Sequence, residues 1–121
     1  MSGFREIFEN YGGDYGATMS RFVNREDMYL RFLDMLFQDE NMQKLGDALR
    51  AEDLKTAFEA AHTLKGVVGN MGLTPLFSAV CTIVEPLRLK EKRTDYMEMY
   101  EVIQKEFNRA EELRARLKKG E

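Results

Sequence analysis

Apolar residues recur along this chain at spacings of three and four over most of its length, the pattern of helices that bury one face. Two short segments open it. One covers Phe4 to Asn10; the other runs from a cap at Asp14 through Phe22, with Gly12-Gly13 between them. Asn24 is expected to cap a longer helix, with Asp27 three residues on as an acidic variant of the capping box. Met28, Leu30, Phe32, Leu33, Met35, Leu36 and Phe37 are dense enough for a mostly buried segment. Asp39 to Asn41 interrupts or bends it before Leu45, Ala48 and Leu49 carry an apolar face to about residue 50.

Asp53 can cap the next helix, which places Leu54, Ala57, Phe58, Ala61, Leu64, Val68 and Met71 on one face and ends at Gly72. Pro75 opens the following helix, where its missing N–H costs nothing. Leu76, Ala79, Val80, Ile83, Val84 and Leu87 form that helix's core face, and Pro86 predicts a kink or an early end. The last helix spans about Thr94 to Lys118, with Tyr96, Met99, Tyr100, Ile103, Phe107, Ala110, Leu113 and Leu117 facing inward. Arg114, Arg116, Lys118 and Lys119 suit the negative end of its dipole. No sustained period-2 pattern competes, so the fold class is all-α, and short connections between amphipathic helices imply an antiparallel bundle.

Composition narrows the function classes. A chain of 121 residues with 44% apolar content suits one domain over residues 1–121 that folds without disulfides. A net charge of −3 argues against a nucleic-acid partner. The single cysteine, Cys81, cannot form an intramolecular disulfide, which fits a reducing compartment, and its place near an apolar face favours inert packing. The start of the chain, Met1 to Glu6, carries charges where a signal peptide would have an apolar run. Gly66 to Val84 lacks charge over a length that could span a bilayer, but Gly72-Leu73-Thr74-Pro75 divides it, so it is expected to be one helix end, a turn and the next helix start.

The candidate chemistry sits at the only histidine. On a helix turning about 100° per residue, His62 shares a stripe with Lys55, Glu59, Lys65, Gly66 and Gly69, away from the apolar stripe. His62 is therefore expected on the outer surface. A glycine inside a helix costs about 1 kcal/mol relative to alanine, and two of them on an exposed face would let a partner's backbone approach the imidazole. Lys65, one turn from His62, can set an ammonium beside phosphoryl oxygens. Imidazole is a competent nucleophile near neutral pH. Glu59-Ala60-Ala61-His62 also matches half of a di-iron bundle site, but the second histidine such a site needs is absent. The methionines lie mostly at core spacing. No metal site is expected on this chain.

The run His62-Thr63-Leu64-Lys65-Gly66, with Gly69, Asn70 and Gly72 after it, resembles the histidine-containing phosphotransfer (HPt) domain of two-component phosphorelays. The lead-in Asp14 to Tyr29, with Arg21-Phe22, and the helix start at Asp53 extend the likeness over most of the chain. The resemblance implies an up-down four-helix bundle over 24–118 with additional short helices in 1–23. It implies a phosphocarrier rather than an enzyme: His62 accepts the phosphoryl group, Lys65 steadies it, and Gly66 and Gly69 clear room for a receiver, with Lys55 and Glu59 at the docking face. The implied partners are a response-regulator receiver domain or a hybrid sensor kinase, in a bacterial, cytoplasmic setting. The implied state is a monomer that needs no cofactor of its own, since magnesium belongs to the receiver. The N-terminal methionine and the extent of the likeness favour a free-standing protein.

One position departs from the family pattern. Many HPt domains carry Gln or Glu on the next helix to bond the other imidazole nitrogen, and ungapped counting puts Val84 there. Glu85 by a local shift, or Thr82, is the candidate replacement. If neither serves, the alternative is a degenerate helical adaptor that docks receiver or kinase domains without carrying phosphate.

Overall fold

The computed structural model describes residues 3–120. Met1, Ser2 and Glu121 lie outside the described residues, and with them the first two positions of the segment read against a signal peptide. The described residues form helices and no strand. Helix α1 (Phe4–Tyr11) ends at left-handed Gly12, and α2 (Tyr15–Ser20) starts at Asp14, whose carboxylate accepts the Ala17 N–H at 3.0 Å. The expected cap at Asn24 does not form. Asn24 is itself left-handed (φ 59°), and its N–H donates to the Met19 carbonyl at 2.9 Å, closing the turn that follows α2. Helix α3 (Glu26–Leu36) begins after Arg25, whose guanidinium clasps Asp27 at 2.7 Å, so Asp27 completes no capping box.

Asp39 does interrupt the next stretch. Its carboxylate accepts the Asn41 N–H at 2.7 Å and starts α4 (Asn41–Arg50) as a separate helix. Together α3 and α4 run alongside α7 (Tyr96–Lys119) in the opposite direction. Asp34 meets Lys118 (2.7 Å) and Arg114 (3.3 Å), the Phe37 and Phe107 rings lie 4.9 Å apart, and the Tyr100 hydroxyl donates to the Met42 carbonyl at 2.8 Å. The pair is thus one strut broken at residues 37–40. Phe32 (46% exposed) and Met35 (61%) correct the expectation of a mostly buried segment: they face solvent, while Tyr29 and Leu33 are fully buried.

Helices α5 (Leu54–Asn70) and α6 (Thr74–Arg88) supply the other struts. Among the packed pairs, α4 on α5, α5 on α6, α6 on α7, and α7 back on α4 make a closed ring. The uncharged Gly66–Val84 stretch is the end of α5, a turn and the start of α6. No helix among the described residues is long and apolar enough to cross a membrane. Helix α6 runs through Pro86 and ends two residues later, at Arg88. The core faces read from spacing in α5, α6 and α7 are buried or half-buried throughout. Ile7 and Phe8 of α1 and Met19 of α2 belong to the same core.

Candidate functional site

Helix α5 is fixed at both ends. The Asp53 carboxylate accepts the Thr56 N–H at 3.1 Å, and hydrogen bonding from Thr56 holds its carboxyl below the usual range. At the other end Gly72 is left-handed (φ 68°), and the Leu73 N–H donates to the Val68 carbonyl at 3.1 Å. A Cβ on Gly72 would collide with the Thr18 side chain, so α2 seals this turn. The buried Tyr29 hydroxyl donates to the Met71 carbonyl at 2.8 Å, and Arg21 donates to the Asn70 carbonyl at 3.1 Å. Those two contacts satisfy carbonyls that the helix end leaves without intrahelical donors. They also tie the N-terminal segments to the helix that carries His62.

His62 stands exposed on the outer face of α5, one turn after Phe58. Its ring lies parallel to the Phe58 ring, with centroids 5.4 Å apart and planes 20° from one another. The Arg88 guanidinium of α6 covers Phe58 at 5.6 Å from the ring centroid. Glu85 bonds that guanidinium at 3.1 Å, and the Thr82 hydroxyl donates to the Ala79 carbonyl at 2.6 Å. Neither Glu85 nor Thr82 hydrogen-bonds His62, which corrects both candidates for that contact. The physical reason is local. An arginine one turn away offers Glu85 a charged partner, and a helical threonine finds its own i−3 carbonyl. Val84, the residue at the aligned position, is buried in the core.

Beyond His62 the stripe opens into a shallow depression of about 500 Å³, lined by Arg21, His62, Lys65, Gly66, Gly69, Asn70 and Phe77. Lys65 is half-buried and pairs with no carboxylate among the described residues. The two glycines differ in kind. A Cβ on Gly66 would meet nothing within 4 Å. A Cβ on Gly69 would lie 2.9 Å from the Phe77 ring of α6, so Gly69 is small because its own neighbour needs the space. Both glycines line the depression, and only at Gly66 would a Cβ crowd no neighbour. Lys55 and Glu59 stand exposed on the first turns of α5 and do not line the depression.

On the far side of Gly66 and Asn70 lies an apolar hollow of about 400 Å³, where Phe32, Met35 and Leu36 of α3 meet Val67 and Met71. Sequence reasoning missed three residues around His62. Arg21 entered only as part of the lead-in, Phe58 only as a core position, and Phe77 not at all. Phe58 could have been found from its place four residues before His62, since such pairs meet on a helix; Arg21 and Phe77 reach the stripe only through tertiary packing.

The described residues form an all-α module presenting one accessible histidine beside Lys65, which has no acidic partner among them, and an open glycine. The family model of the Hpt domain matches residues 27–116, and the chain belongs to that family. Hpt domains are phosphocarrier modules of phosphorelays. The match begins within α3, so α1 and α2 precede it. No curated protein and no solved structure matches this chain.

Proposed function

We propose that this protein is an intermediate phosphocarrier that accepts a phosphoryl group on His62 and exchanges it with a receiver-domain aspartate. The observation that carries the reading is the exposed His62 beside Lys65 and the open Gly66 on one stripe of α5, in a chain of the Hpt family. In the forward step, the lone pair of one neutral imidazole nitrogen attacks phosphorus as the aspartyl P–O bond breaks. The aspartate leaves as a carboxylate, and the second ring nitrogen keeps its proton, so the phosphorylated ring carries the positive charge. Lys65 neutralises the phosphoryl oxygens. The partner supplies the aspartate and its divalent metal, and a hybrid kinase is the source of the phosphoryl group.

The test is incubation with phosphorylated receiver domains, followed by a search for an acid-labile, base-stable adduct. The expected result is one adduct per chain, absent from His62→Gln, whose helical signal stays at the wild-type level. No adduct with any of several receivers would sink the carrier reading. A second reading, an adaptor that docks receivers without carrying phosphate, is favoured by one observation: neither Glu85 nor Thr82 bonds the imidazole. Receiver binding without an adduct is its expected signature.

A further inference from the structure

We infer that Phe58 is a positioning residue for His62: its ring, held by Arg88, fixes the imidazole plane that a hydrogen-bond acceptor would otherwise fix. The inference rests on the phosphocarrier reading and assigns a role to a residue that spacing alone puts on the core face.

Three contacts form a chain. Glu85 bonds Arg88 at 3.1 Å, Arg88 lies over Phe58 at 5.6 Å, and Phe58 stacks on His62 at 5.4 Å with the planes 20° apart. An exposed imidazole has two soft side-chain torsions, and its second torsion is broad. A surface nucleophile without restraint would sample many directions, and misplacement of about 1 Å can slow a reaction a hundredfold. A hydrogen bond to the second nitrogen is one restraint; a parallel aromatic face is another, because it limits the ring's tilt while leaving both nitrogens at its edge. Phe58 can serve because it is itself held: half-buried against the core at its base, with the guanidinium over its ring. The same face suits the product. A phosphorylated imidazole carries positive charge on its ring, and the negative face of an aromatic ring attracts it.

This arrangement also accounts for Glu85. Its carboxylate acts on Arg88 and reaches the histidine through the guanidinium and the Phe58 ring rather than through a hydrogen bond. The phenyl group donates and accepts no proton, so Phe58 takes no part in the bond changes.

The experiment combines NMR of the His62 ring with transfer kinetics in Phe58→Leu, Phe58→Tyr and Arg88→Met. In the wild type, the His62 ring protons should show ring-current shifts and contacts to the Phe58 ring. Phe58→Leu should abolish both, lower the maximal transfer rate about tenfold, and leave the receiver concentration at half-maximal rate unchanged. Phe58→Tyr should restore rate and shifts. Arg88→Met, which keeps the aliphatic stem, should fall between them. Wild-type rates in a folded Phe58→Leu protein would overturn the proposal, as would His62 resonances that ignore the substitution. A change confined to receiver affinity would overturn it too, by making Phe58 a docking contact. Failure of the wild type to take any phosphoryl group would defeat the carrier reading, and the NMR shifts would still decide the stacking.

Discussion

A Cβ at Gly69 would stand 2.9 Å from Cε1 of Phe77, whereas the same atom at Gly66, three residues nearer His62, would meet nothing within 4 Å. The two glycines of one stripe thus answer to different constraints. Gly66→Ala should raise stability by about 1 kcal/mol, the ordinary helix preference. Gly66→Leu should fold as well but slow transfer, because the added bulk obstructs only a partner. Gly69→Leu should lower stability by about 1–3 kcal/mol through overpacking against Phe77. Urea denaturation alongside transfer assays separates the two, and a stable Gly69→Leu protein would refute the assignment.

Lys65 has no acidic partner among the described residues that would compete for its charge. Lys65→Ala should therefore leave the fold untouched and reduce phosphoryl transfer about 10- to 100-fold, the loss of one charge-assisted contact. Lys65→Arg should recover part of the rate. A thermal melt and a transfer time course check both halves; an unchanged rate in Lys65→Ala would remove this residue from the site.

The turn after α5 depends on Gly72, which is left-handed and lies against Thr18. Gly72→Ala should cost about 1–2 kcal/mol for the backbone and about 1–3 kcal/mol for the collision. Thr18→Ala in the same chain should return the second part only. Because this turn anchors the end of the histidine helix, amide exchange should quicken first around Asn70 to Leu73.

Tyr29 joins α3 to the end of α5 through its bond to the Met71 carbonyl. Tyr29→Phe leaves that carbonyl without its donor and should cost about 1–2 kcal/mol in denaturant titration. Burial raises the Tyr29 phenol well above its usual range, and burial followed by the nearby Glu106 pushes Tyr11 up to about 12. Tyrosines of the unfolded chain ionise near pH 10. The stabilisation from both phenols is therefore whole below about pH 10 and is lost as pH rises toward their folded values. Stability measured from pH 8 to 12 should fall above pH 10, and less steeply in Tyr29→Phe.

Much of this protein was legible in its residues. The 3.6-residue period placed the core faces of α5, α6 and α7, because a helix buries whatever recurs on one side of it. Asp14, Asp53, Gly72 and Pro75 marked helix ends, since each has a local backbone reason to be there. The same periodicity put His62 outside and Lys65 beside it. Local chemistry misled at Asn24, which is left-handed in the turn after α2, and at Phe32 and Met35, whose exposure depends on how α3 lies along α7. Only the tertiary structure decided that Gly69 makes room for Phe77, that Arg21 lines the depression, and that Glu85 bonds Arg88 while Phe58 takes the histidine's flank. Helical spacing fixes which side chains share a face; which neighbour a face meets, and which competing partner wins a charge, is settled only when the helices pack.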